Sequence, residues 1–311
     1  MKKLRNIVIA IMIAVGFTVG WRLICQSTEI NAVTLKAVDA DYTENQEVVA
    51  AIALNTVVYG CERLDDPTGT VAEIISYNEI GILQSNYDIV RTDPDDPSSA
   101  IFDAKDFVSK FIGNYRFLDE KKDEKSGFYA VSFADDTAKS VWIAFAGATD
   151  HRDIFSCAMI FLTPGLSAQE KAAFSFYQTV AESEEVSQQG YAVILTGHSL
   201  GGILATEISR VTDCQAVTIN GADGIGMWKM NMIEGEKKSS KSIYNHLTSP
   251  KNGQIAALDA VQHLMFIGPY QSVNSRIYNA NGLTEDTHCV FSFIQFEDDF
   301  FENPVIPDTK D

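Results

Sequence analysis

Residues 191–211 read YAVILTGHSLGGILATEISRV. The apolar stretch from Tyr191 to Thr196 predicts a short buried strand, and the residues after Gly202 place apolar side chains at helical spacing. Between the two stands Gly197-His198-Ser199-Leu200-Gly201, a Gly-x-Ser-x-Gly pattern at a strand-to-helix turn. The spacing has a steric reason. A serine that projects from so tight a turn sits on strained backbone. The residues two before and two after it come together, where only the smallest side chains fit. The Leu200 amide, at the start of the following helix, is placed to donate to a developing oxyanion. The bare pattern arises by chance in about one chain in ten of this length. The flanking strand, the flanking helix and the additional Gly202 make this instance far more specific. Ser199 is therefore the candidate nucleophile, and the competing reading is an idle serine in a glycine-rich turn.

Working outward, GFYAVSF (127–133) and SVWIAFAG (140–147) read as strands joined by the turn-like ADDTAK. Residues 167–188 predict an amphipathic helix, CQAVTIN (214–220) and KSIYNHL (241–247) strands, and 253–264 a helix. LMFIG (264–268) and SRIYNAN (275–281) are further strand candidates. Upstream, residues 45–59 have helical spacing, 63–100 read as loops around a short element, and 101–118 are mixed. Strands alternating with helices predict an α/β fold, a mostly parallel sheet with helices on both faces. No internal repeat is evident.

The 311 residues are 46% hydrophobic, enough for a sizeable core. Lys plus Arg is 24 against 42 for Asp plus Glu, a formal charge of −18, which disfavours nucleic acid and anionic membranes as partners. Lys2, Lys3 and Arg5 precede an uncharged run over 7–21, the layout of a signal peptide or a short N-terminal anchor. The run is short for a transmembrane helix, which needs about 20 apolar residues. The expected division is 1–27 signal peptide or anchor, 28–44 linker, 45–296 hydrolase domain and 297–311 an acidic end. The expected location is extracytoplasmic, secreted or held at a membrane by the N-terminal segment. The five cysteines, Cys25, Cys61, Cys157, Cys214 and Cys289, show no metal-like pairing. Asp150, His151 and Asp153 read as an acidic turn after a strand rather than a metal site. No Walker loop, dinucleotide fingerprint or zinc spacing is present, so no cofactor is expected.

GHSLGG resembles the nucleophile elbow of fungal-type class 3 lipases and their bacterial lipase-like relatives. VWIAFAGATD (141–150) is similar to that family's strand ending in Phe-Arg-Gly-Thr, and Gln169, Ala173 and Tyr177 fall where its helix before the elbow has Gln, Ala and Tyr. VTINGADG (217–224) resembles its strand ending in a small-residue turn. The similarity spans roughly residues 45–292. It implies an α/β-hydrolase fold and a carboxylic ester hydrolase, esterase or lipase, acting on a small-molecule or lipid ester. Two positions depart from the pattern: Ala146 replaces the family's Arg, and Ala148 stands where a Ser or Thr hydroxyl assists the oxyanion hole. The Ala148 amide remains a donor, and Thr149 offers a hydroxyl one residue later.

An alkyl hydroxyl needs a base, and in this fold the chain order is serine, acid, histidine. His246, His263 and His288 follow Ser199. His288, in GLTEDTHCVFSF, resembles the family's terminal histidine segment and is the expected base. Aligning TSPKNGQIAAL with the family's acid segment puts the neutral Gln254 at the acid. Asp223, after the strand CQAVTIN, is the expected substitute, with Asp259 as the alternative and a site without an acid also open. Two other functions remain: a non-catalytic relative that binds a lipid or protein partner, and an acyltransferase using the same serine.

Overall fold

The computed structural model describes residues 42–62, 64, 67–76, 104–147, 166–221, 243–249 and 274–279, the last two stretches as backbone. All of these lie in the unit Asp39–Lys310; the other unit, Met1–Val38 with Asp311, falls outside the described residues.

The chain enters with helix α1 (Tyr42–Cys61), followed by α2 (Val71–Ser76) and α3 (Ala104–Ile112). Strands β1 (Arg116–Asp123), β2 (Phe128–Asp135) and β3 (Ser140–Phe145) come next. Helices α4 (Ala168–Ala181) and α5 (Glu184–Gln189) lead to β4 (Ala192–His198), α6 (Leu200–Thr212) and β5 (Gln215–Ile219). Strands β6 (Ile243–Ser249) and β7 (Asn274–Asn279) complete the sheet among the described residues.

The strands lie side by side in chain order, β1 to β7. β1–β2 and β2–β3 are antiparallel; from β3 to β7 every pair is parallel. The result is a mixed open sheet with helices on both faces, an α/β-hydrolase-type fold. Strict two-residue alternation builds both cores at once. In β3, Val141, Ile143 and Phe145 face one core with Phe176 of α4 and Ile203, Leu204 and Ile208 of α6. Trp142, Ala144 and Ala146 face the other, with Leu54, Val57 and Val58 of α1 and Phe107 of α3. A strand buried on both faces reads as a continuous apolar run, which is why SVWIAF was recognisable.

Some polar groups inside this core hydrogen-bond from one element to the next. Asn55 of α1 donates through Nδ2 to Ala51 O (2.8 Å) and to Thr196 Oγ1 (2.9 Å), and Thr196 donates to Val217 O (2.8 Å). One amide thus ties α1 across β4 to β5, beneath the turn that carries Ser199.

Three expectations change. The helix expected over 167–188 is two helices, because Ser183 caps a new start by accepting from the Val186 amide, after α4 has ended at Ala181. β1 went unrecognised because its sequence, RFLDEKKD, is mostly charged. It is an edge strand whose lysines lean to opposite faces: Lys121 Nζ donates to Ser175 Oγ on α4 and Lys122 Nζ to Glu62 O after α1. Long charged side chains lay their stems on the sheet and blunt its edge against further pairing. The extracytoplasmic placement through an N-terminal membrane anchor does not hold: among the described residues no helix is long and apolar enough to cross a membrane. α1 has 20 residues but carries Glu44, Gln46, Glu47 and Asn55. The run over 7–21 lies outside the described residues and is shorter than a span requires. The expected helix over 253–264 and the strand LMFIG also lie outside them.

Candidate active site

The carboxyl ends of three adjacent strands meet at one level. Phe145 of β3 pairs in register with Gly197 of β4, and His198 of β4 with Ile219 of β5. Ser199 follows β4 directly and has φ 56° and ψ −120°, a conformation that L-residues rarely adopt. Its amide donates to Ile219 O at 3.1 Å, and its carbonyl accepts from the amides of Gly202 (3.0 Å) and Ile203 (3.3 Å). Ser199 is the N-cap of α6, yet its side chain makes no capping hydrogen bond. An N-cap serine ordinarily spends its hydroxyl on the helix's own amides. Leu200 N–H, the first amide of α6, belongs to those that a helix leaves without an intrahelical acceptor.

The glycines are required by contact. A Cβ on Gly197 would stand 2.1 Å from the carbonyl carbon of Gly201 and 2.6 Å from Gly202 N. A Cβ on Gly201 would stand 2.1 Å from Phe145 O, so its absence lets α6 rest on the end of β3. On Gly202 it would lie 2.7 Å from the Gly221 Cα just after β5. All of these neighbours are backbone and cannot rotate away. Gly201→Ala is therefore expected to destabilise the protein by about 2 kcal/mol, read from the urea midpoint at unchanged slope. A loss below about 0.5 kcal/mol, the level of an ordinary surface substitution, would refute this packing.

Two residues of the junction were not singled out by sequence. Tyr59, on the last turn of α1, and His198, within the elbow, are both buried, and Tyr59 Oη lies 3.0 Å from His198 Nδ1. The Gly147 amide donates to the same Oη at 3.1 Å. His198 was visible as part of the pattern, though its partner was not. Nothing in the helical run 45–59 marks Tyr59 apart from its being an aromatic among aliphatic residues.

The other expected site residues divide sharply. Ser199 and Leu200 stand at the junction of β4 and α6. Ala148, Thr149, Asp223, Gln254, Asp259, His263 and His288 lie outside the described residues, as do Asp150, His151 and Asp153. His246 is described as backbone only, in β6, in register with Ile219. Ala146 is buried beneath α1, its amide donating to Tyr129 O at 3.0 Å. The helix positions shared with the lipases have visible work. Gln169 Nε2 donates to Ser126 O (2.7 Å), Ala173 packs in the core, and Tyr177 Oη lies 3.2 Å from Cys214 Sγ. Cys61 and Cys214 are free thiols. Burial, with the Glu120 charge nearby, pushes the Cys61 thiol up to about 12, so it is no nucleophile.

The profile of a family described as phospholipase-like, a Tle-like phospholipase domain, matches residues 108–248. An extracellular phospholipase A1 of Serratia liquefaciens is 29% identical over 154 residues, 45% of each chain. The chain thus spans less than half the length of the curated relative it matches. Among solved structures, the lipase of Rhizopus microsporus var. chinensis is similar at 13% identity and a TM-score of 0.39, over 70% of this chain and 72% of that one. The mono- and diacylglycerol lipase of Aspergillus oryzae is similar at 14% identity and a TM-score of 0.41, over 69% and 74%. The fold itself, a mixed open sheet with helices on both faces, is of the α/β-hydrolase type.

Proposed function

We propose that this protein is a serine hydrolase that cleaves the carboxylic esters of lipids through an acyl-enzyme on Ser199. The observation that carries the reading is the backbone of Ser199. A non-glycine residue at φ 56° and ψ −120°, capping a helix without using its hydroxyl to do so, is strain that a merely structural turn does not need. Oriented by Asp223, His288 takes the Ser199 proton as Oγ attacks the ester carbonyl carbon. The amides of Leu200 and Ala148 receive the negative charge of the tetrahedral intermediate. Collapse breaks the bond to the alcohol, which leaves with the proton from His288. Water, activated by the same base, then releases the acid and restores Ser199. Two similarities favour glycerophospholipid acyl esters within the lipid class: the phospholipase-like profile over 108–248 and the phospholipase A1 match.

The deciding experiment is a fluorophosphonate probe, with the adduct located by mass spectrometry, alongside a panel of phospholipid and p-nitrophenyl esters of increasing chain length. A single adduct on Ser199 and turnover of at least one ester are expected. No adduct and no turnover would make the chain a non-catalytic lipase-like protein. An adduct with product formed only when an alcohol acceptor is present would make it an acyltransferase.

A further inference from the structure

The contact between α1 and the elbow has a part that the reaction scheme does not use. Tyr59 and His198 stand 139 residues apart in the chain, and Tyr59 and Gly147 stand 88 apart, yet all three meet at one hydroxyl. The rings of Tyr59 and His198 meet edge to face, with centroids 6.1 Å apart at 71°. Gly147 has no side chain because there is no room for one. A Cβ there would lie 2.2 Å from Tyr59 Oη, 2.6 Å from His198 O and 3.4 Å from Ser199 Cβ. The end of β3 therefore lies directly against the nucleophile, with no intervening side chain.

We propose that Tyr59 is a positioning residue whose hydroxyl clamps the end of β3 to the nucleophile elbow, by a relay from Gly147 N–H through Tyr59 Oη–H to His198 Nδ1. The proposal rests on Ser199 being the nucleophile. A phenol has one proton and two lone pairs. The Gly147 amide takes a lone pair; in the relay the phenol donates to His198 Nδ1 and the ring carries its own proton on Nε2. Each bond fixes a different wall of the turn. One holds the Ala146–Gly147 peptide just past the end of β3, and the other holds the ring of the residue just before Ser199. Tyr59 acts through these neighbours and takes no part in bond making. A phenylalanine would fill the same space and supply none of this alignment.

The test uses the full chain with p-nitrophenyl butyrate, and labels each variant with the fluorophosphonate. Tyr59→Phe keeps the ring and removes the relay. It is expected to lower kcat about tenfold, with KM within about twofold, because slight misalignment of reacting groups falls on the chemical step. His198→Leu should lose about as much, and His198→Asn, whose Oδ1 accepts where Nδ1 stood, should recover at least about half of wild-type kcat. The double variant Tyr59→Phe/His198→Leu should be no worse than about tenfold down, since both changes break one relay. Wild-type kcat in Tyr59→Phe, or a roughly hundredfold additive loss in the double variant, overturns the relay while leaving the nucleophile in place. If Tyr59→Phe does not fold, the two His198 variants decide: equal losses in both overturn it. Labelling that survives Ser199→Ala overturns the nucleophile reading, and the relay's role in turnover falls with it.

Discussion

Ser199→Ala is expected to abolish fluorophosphonate labelling and to lower ester turnover by at least about ten-thousand-fold, with the protein still folded. The hydroxyl oxygen is the only heavy atom removed, and it takes no part in capping α6. The backbone strain stays, because alanine at φ 56° has the same Cβ as serine. Circular dichroism and the thermal midpoint should therefore match wild type. Ser199→Gly gives the complementary result. It is equally inactive, but glycine adopts this conformation freely and relieves roughly 1–3 kcal/mol of strain, against an unfolded-chain entropy cost of up to about 1 kcal/mol. The strain term wins, so the Ser199→Gly variant should be more stable than both the wild type and the Ser199→Ala variant, by about 1 kcal/mol. Labelling and turnover unchanged in Ser199→Ala would sink the assignment of the nucleophile. A glycine variant less stable than the alanine one would show that the turn stores no strain.

Asp223→Asn is expected to lower kcat by about a hundredfold or more with little change in KM. The imidazolium formed during attack needs a nearby negative charge, and asparagine keeps the shape and hydrogen-bonding capacity while removing it. In the serine protease triad such a change costs about ten-thousand-fold, and a more solvated site should lose less. β5, the strand that leads to Asp223, ends against the elbow, where the Ser199 amide donates to Ile219 O and Gly221 Cα approaches Gly202. Asn220, buried and at φ 48°, turns the chain there. Asp259→Asn should then have little effect. The reverse pattern in steady-state kinetics would move the acid to Asp259, and near-wild-type turnover in both variants and in the double variant would leave Ser199 and His288 as a dyad.

Much of the fold was legible because its signals are local. The helical spacing over 45–59 became α1, SVWIAF and YAVILT became β3 and β4, and ILATEISRV continued from the serine as α6. A strand covered on both faces must be apolar throughout, and α1, buried from Val48 to Cys61, reads as an apolar run too long for one strand, so neither pattern depends on distant residues. The elbow was legible for the same reason. Gly197, Ser199 and Gly201 are close in sequence, and the clash that excludes any larger side chain at Gly197 comes from Gly201 and Gly202 within the same turn.

Tertiary structure alone decided where the local signal is silent or points the other way. RFLDEKKD carries no strand signal of its own and becomes β1 because β2 offers an unpaired edge, with α1 and α4 near enough to take up its lysines. Glycine at 147 is explained only by Tyr59 and His198 standing where its side chain would be. The residues that set the elbow's walls come from the end of a helix, the end of a strand and the turn itself, far apart along the chain. No window of sequence contains all three, and a hydrogen bond that closes over 139 residues exists only once the sheet has been assembled and α1 packed upon it.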